Sequence, residues 1–416
     1  MPFSRPQPSD GDPVGAAALV LTSARLADGR TVDVRLSGGR VEAVGTAGSL
    51  DRDGARTDPG CARIDLGGYL LMPAPVEAHA HADTALSAGG PPPRYTVEDV
   101  RRRATEAALV HLGHGATAMR SHVRVGDGFG SARLESLLLA RRSMRGLCDL
   151  TTVAVPRLLT GAAGAAGADG LAALRDAMAM GADAVGGCPD LDPDPAAHTE
   201  TVLGLAAEYG RPVDLHTDGK DPEQLIRLAA MARGLRTGVS VGPCAGLALL
   251  PPEVAARAAE SLAAAGIGVT CLPQGGCGDA TIRAGAPVRL LRAAGVRLAA
   301  GSGALRDASN PVGRGDPLEA AYLLASQGGL RPAEALAAVG SAGRAALGLP
   351  EVRVEAGFPA ELLAVRGDDP AAVLSQAYSR IVIHRGRVVA RTSAVREYCD
   401  SDSEAGAALP RQGRPG

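Results

Sequence analysis

Two histidines one residue apart, His79 and His81, end the short apolar run Met72-Pro73-Ala74-Pro75-Val76-Glu77-Ala78. On a β-strand, side chains alternate between faces, so this spacing sends both imidazoles to one side and Ala80 to the other. Two imidazoles presented together can bind one divalent metal ion. A pair of ordinary core or surface histidines has the same spacing, so the motif alone leaves both readings open. The other residues with chemical potential are dispersed. His216 and Asp218 lie in VDLHTDGKD, Arg157 follows the apolar run VAVP, and Lys220 is the single lysine. The seven cysteines form no CxxC pair and their number is odd, which argues against a disulfide framework.

Strand-like and helix-like segments alternate from His79 onward. VEDVRRRATEAALVHLGHG reads as a helix and ATAMRSHVRVG as a strand. The same pattern recurs through DLTTVAVP, ADAVGGCP, RPVDLHTD, GVSVGPC, IGVTCLP and VRLAAGSG, each preceded by a helical pattern. Eight such strands, with no GxGxxG opening the first strand-to-helix turn, favour a closed barrel over an open doubly wound sheet. Short strands with Gly turns flank this region at 17–44 and again near the C-terminus. The predicted class is α/β: a (β/α)8 TIM-like barrel over 73–350 with a small discontinuous β-sandwich from 15–72 and 351–392. Residues 1–14 and 393–416 are polar and Pro- or Gly-bearing and are expected to be disordered.

YLLMPAPVEAHAHAD and VEAHAHADTALSAGG resemble the first barrel strand of the amidohydrolase superfamily, nearest its cytosine deaminase-like branch. The resemblance spans about 17–391. It implies a metal-dependent hydrolase of non-peptide C–N bonds in cyclic small molecules. It also implies metal ligands at His79, His81 and His216, the last in a segment similar to the family's hydrophobic-D-x-H-x-D-E. The same alignment shows departures. The Glu expected after Asp218 is Gly219, the sixth-strand His is Pro243, and the eighth-strand Asp is Gly303. Arg157 stands where this branch usually has Gln, and Arg124 where an acid is usual.

Pro and Gly side chains neither ligate nor titrate, so these replacements remove a ligand, the base and the proton shuttle together. Three histidines remain as the ligand set of a three-His site holding at most one zinc or iron ion, weakly bound or absent. Asp218 and Arg157 are weak catalytic candidates for a rebuilt site, with Asp83 and Asp307 nearby in sequence. Cys188 and Cys244 could add thiolates but read better as small buried residues. The alternative is a catalytically inactive pseudoenzyme that binds a small ligand or a partner protein.

The chain of 416 residues is 46% hydrophobic with only 2% aromatic residues, so its core is assembled from many small contacts. A net charge of −2 predicts no nucleic-acid or anionic-membrane partner. The N-terminal MPFSRPQPSDGDP lacks an apolar signal segment, and no apolar run approaches the ~20 residues of a membrane helix. The expected setting is cytoplasmic, with a small-molecule ligand or substrate as partner and homo-oligomerisation left open. His111, His114, His198, His384 and the run Arg101–Arg103 are expected on the surface.

Overall fold

The computed structural model describes residues 18–50, 61–90, 93–126, 131–160, 165–275, 285–376 and 378–394. Residues 1–14 and most of the C-terminal tail lie outside them. One sheet takes its strands from both ends of the chain: β1 (Leu19–Arg25), β2 (Thr31–Ser37), β3 (Arg40–Thr46), β4 (Ala62–Asp65), β5 (Tyr69–Pro73), and much later β14 (Leu362–Arg366), β15 (Arg380–His384) and β16 (Arg387–Thr392). Its order is β16-β15-β14-β5-β1-β2-β3, with β4 on β1. It has a core of its own, built around Leu21, Leu36, Leu66, Leu71, Leu362 and Ile383.

The second sheet is the barrel: β6 (Val76–Ala80), β7 (Ala118–Val125), β8 (Asp149–Pro156), β9 (Ala184–Gly187), β10 (Val213–Thr217), β11 (Val239–Pro243), β12 (Gly268–Cys271) and β13 (Leu298–Ala300), parallel and in sequential order. A parallel bridge between Ala80 and Gly303 brings the chain after β13 back to β6. Parallel strands need long crossovers, and helices supply them. Three of the helices begin with the same device. Asp194, Asp221 and Asp316 each precede a proline at the first helical position, and each carboxylate accepts from backbone N–H groups of the first turn. The Asp-Pro dipeptides at 194–195, 221–222 and 316–317 are therefore helix starts.

Four groups expected on the surface are buried. His111 is 2% exposed and sits 3.6 Å from the Glu77 carboxylate. Arg103 is 3% exposed and donates to the carbonyls of Asp83 and Ala85. His198 and His384 each hold a carboxylate at 2.8 Å, Asp192 and Glu361 respectively. The partner carboxylates lie on other turns or strands. Short-range patterns of a single element do not reveal them.

Candidate metal centre

Barrel chemistry sits where the strands end, and the histidines arrive there through a break in the pleat of β6. Glu77 pairs with Met119 of β7, but Ala80 pairs with Ser121, so β6 carries one extra residue over this step. Below the bulge, Val76 and Ala78 pack into the barrel floor with Ala118, Ala299 and Leu347. Above it, His79 and His81 turn inward. Glu77 falls on the outer side, wholly buried, where it accepts from the backbone N–H of His79 and of Ser302 and from the Ser302 hydroxyl. Burial pushes its carboxyl up to about 7, against the pull of those donors.

The three predicted ligands converge. One ligand atom from each of His79, His81 and His216 lies within 4.8 Å of the others. The His79 and His81 Nε2 atoms are 3.3 Å apart. Two nitrogens each ~2.0–2.1 Å from a tetrahedral ion stand roughly 3.3–3.4 Å apart, so the pair already has the separation that zinc requires. Burial, reinforced by the neighbouring imidazoles, holds His79 and His81 well below the usual histidine range, and the same causes take His216 down to about 4. The rings are therefore neutral at pH 7, as ligands must be.

A polar column supports this triad from below. The His122 ring stacks on His79 with centroids 3.8 Å apart. Its Nε2 lies 3.4 Å from Asp214, which also accepts from Arg120 Nη1 at 2.9 Å. Burial opposes the Asp214 charge, but His122 and Arg120 outweigh it and hold the carboxyl below its usual value. His79, His122 and Asp214 form a second cluster with ligand atoms within 4.8 Å. In the sequence, His122 reads equally well as a residue of the barrel mouth or as an ordinary barrel histidine, and nothing singles out Arg120 or Asp214. The available signal was the period of two in RSHVR and VDLH, which places Arg120, His122 and Arg124 on one row and Asp214 with His216 on another.

The other candidates are differently employed. Asp83 is buried against Arg133 at 3.2 Å, and burial raises its carboxyl. Asp307 braces its own loop, accepting from the Thr84 hydroxyl and the backbone N–H groups of Ser309 and Asn310. Asp218 is buried and follows β10, its backbone N–H donating to Asp190. Arg157 follows β8 and is exposed, as is Lys220. Burial pushes the Cys188 thiol up to about 12 and Cys244 higher still, so neither offers a thiolate. Neither cysteine is in a ligand cluster among the described residues.

Gly219, Pro243 and Gly303 lie at strand ends or just beyond them. On β11, His216 is level with Gly242 and Thr217 with Pro243. A Cβ on Gly242 would lie 2.2 Å from the Thr270 carbonyl, so that rung accepts no side chain at all. Gly219 has φ +69° and Gly303 φ +75°, and the Gly303 N–H donates to the His79 carbonyl at 3.0 Å. At Gly303 the barrel closes on backbone, beside β6.

A family model for amidohydrolases matches residues 156–390, more than half of the chain. The chain belongs to the amidohydrolase family. It is 28% identical over 333 residues to a pterin deaminase of Rhizobium rhizogenes (strain K84), covering 75% of this chain and 74% of the relative. It is 25% identical over 373 residues to the N-isopropylammelide isopropyl amidohydrolase of Pseudomonas sp. (strain ADP), covering 80% of this chain and 89% of that one. Among solved structures, N-isopropylammelide isopropylaminohydrolase from Burkholderia multivorans superposes with TM-score 0.80 at 26% identity, over 91% of this chain and 100% of that one. The 5-methylcytosine deaminase of Klebsiella pneumoniae shares the fold, with TM-score 0.79 at 24% identity. The barrel, the second sheet and the membership read from VEAHAHAD thus stand on independent ground. No helix among the described residues is long and apolar enough to cross a membrane.

Proposed function

We propose that this amidohydrolase holds one divalent ion through His79, His81 and His216, binds a cyclic small molecule at the barrel mouth, and hydrolyses its C–N bond only feebly. The fit of the three imidazoles supports the ion, with iron the alternative to zinc. Such an ion supplies Lewis acidity and activates water at neutral pH. The activities for which the relatives are named support a cyclic C–N substrate. The observation that carries the impairment is Gly303, whose backbone closes the barrel where the family's pattern has Asp. With Gly219 in place of Glu as well, neither the group that takes a proton from water nor the one that returns it to the ring is present. Each such group contributes typically ~10²–10⁴-fold.

The surviving groups have other tasks. His122 and Asp214 pack beneath His79 and fix its ring plane, and Arg120 keeps Asp214 charged in a dry interior. A second reading, a metal-free binding protein, draws on the His79–His81 contact itself. At 3.3 Å one imidazole N–H can donate to the other's bare nitrogen without any ion. A cytoplasmic setting belongs to the same proposal.

Restoring the missing base tests the proposal. Asp is among the residues that tolerate positive φ, so Gly303→Asp is expected to fold at a cost of about 1–2 kcal/mol. Metal content by mass spectrometry should be near one equivalent in both proteins. Ammonia release from pterin and cytosine, and isopropylamine release from N-isopropylammelide, should be near background for the wild type. Release should rise by about 10²-fold in the variant for whichever ring fits. Brisk wild-type turnover would end the impairment reading, and metal-free wild-type protein would favour the binding protein.

A further inference from the structure

The inward row of β7 continues past His122 to Arg124. Arg120 and His122 on that row face the barrel interior, while Met119, Val123 and Val125 on the other row join the core beneath the helices. Arg124 is nonetheless exposed, because it stands at the open end of the row. Its charge is felt at His81 and Asp83 just after β6, at Cys188 after β9 and at His216 in β10, three segments around the mouth.

Arg157 extends the neighbouring row in the same way. Arg124 pairs with Val155 in the β7–β8 ladder, and Val153 and Val155 form the inward row of β8, packing with Ala184 and Cys188. Arg157 is two residues beyond Val155, just past the end of β8, and exposed. At ~4.8 Å between strands and ~3.3 Å per residue, the two Cα atoms stand about 8 Å apart. Arg124 is roughly 7 Å along its strand from His122. Two long guanidinium side chains so placed can converge on one point above the histidine layer.

Among the described residues, Asp83 and Asp190 are committed to other partners. Asp83 bonds Arg133, and Asp190 accepts from the Thr217 hydroxyl, the Asp218 N–H and the Gln224 amide. Guanidinium groups present fixed planar forks that match a carboxylate in two-point fashion.

We propose that Arg124 and Arg157 form an anion subsite at the barrel mouth, so that the ring this protein binds carries a carboxylate substituent on the side away from the histidine triad. The assignment deepens the function proposed above and rests on it only for the ring's location. It makes no claim about turnover.

Matched pairs of rings with and without the carboxylate test it: pterin against pterin-6-carboxylate by fluorescence titration, and uracil against orotate by calorimetry, both on the full-length, metal-analysed protein. Charge-assisted hydrogen bonds support an advantage of about ten- to hundred-fold for the carboxylated member. The advantage should shrink in 0.5 M KCl through charge screening. It should disappear in the Arg124→Ala/Arg157→Ala double variant and reverse in Arg124→Glu, while affinity for the parent ring changes less than about two-fold. Both arginines are exposed, so unchanged thermal transitions separate a lost subsite from a lost fold. Equal affinity within each pair, or no binding of either member, overturns the subsite. Displacement of pterin-6-carboxylate by inorganic phosphate at equal concentration overturns the carboxylate assignment in favour of a phosphate. The metal-to-protein ratio, read on the same samples, reports separately on the proposed metal centre.

Discussion

Replacing His216 by alanine should take the metal content of the purified protein from near one equivalent to below about one tenth. Zinc held by three imidazoles is a complete protein ligand set with one open position, whereas two imidazoles from one strand leave half the sphere to water. His79 and His81 cannot compensate, because both already face the same point at 3.3 Å. Asp214 is not a ready substitute, being bonded to Arg120 and in contact with His122. His216 is only half-buried at a strand end, so the apoprotein should keep its thermal transition. Metal analysis after dialysis, with calorimetric melting alongside, checks both halves of the expectation. Retention of a full equivalent by His216→Ala would show that the ion is held elsewhere. No metal in the wild type would support the metal-free reading.

The second large effect concerns the joint between the two sheets. Arg380 of β15 makes a two-point ion pair with Asp316 at 2.9 and 2.7 Å, and both side chains are 5% exposed. Asp316 also caps the helix Pro317–Ser326, and Arg380 reaches the carbonyl of His114. One ion pair thus ties the discontinuous sheet to two helices that cover the barrel. Arg380→Met should destabilise the protein by about 3–5 kcal/mol at pH 7, because it leaves a buried carboxylate without its cation. Burial raises the Asp316 carboxyl, but the Arg380 hydrogen bonds and charge outweigh it and hold it below the ordinary value. A depressed folded-state pKa contributes stability that is fully present above the unfolded value of about 3.9. That contribution is lost as pH falls through the lower folded value. The gap between wild type and variant should therefore be widest near neutrality and narrow below about pH 4. Urea midpoints at pH 7 and pH 3 measure it. A pH-independent gap would show that the loss is one of packing alone.

Much of the architecture follows from short-range pattern. The alternation of apolar strands with amphipathic helices identifies the barrel, because a parallel strand buried on both faces and its crossover helix differ in period and in length. The imidazole pair is readable for a similarly local reason, since a period of two puts His79 and His81 together. That Gly219, Pro243 and Gly303 carry no titratable side chain is equally a matter of residue identity.

Tertiary structure decided the remainder. Alternation alone would have put Glu77 on the side of the histidines. The extra residue in β6 reverses it, and a bulge is specified by the ladder it forms with β7. Glu77 then meets Ser302, 225 residues away, and Arg120 meets Asp214, 94 residues away. His111, His198 and His384 look like surface residues until the helix or strand that carries each one docks beside a carboxylate. Residue types and local spacing determine which groups are available and which are missing. Only closure of the barrel determines which of them share a dry interior, because burial and charge pairing depend on distances between segments remote in the chain.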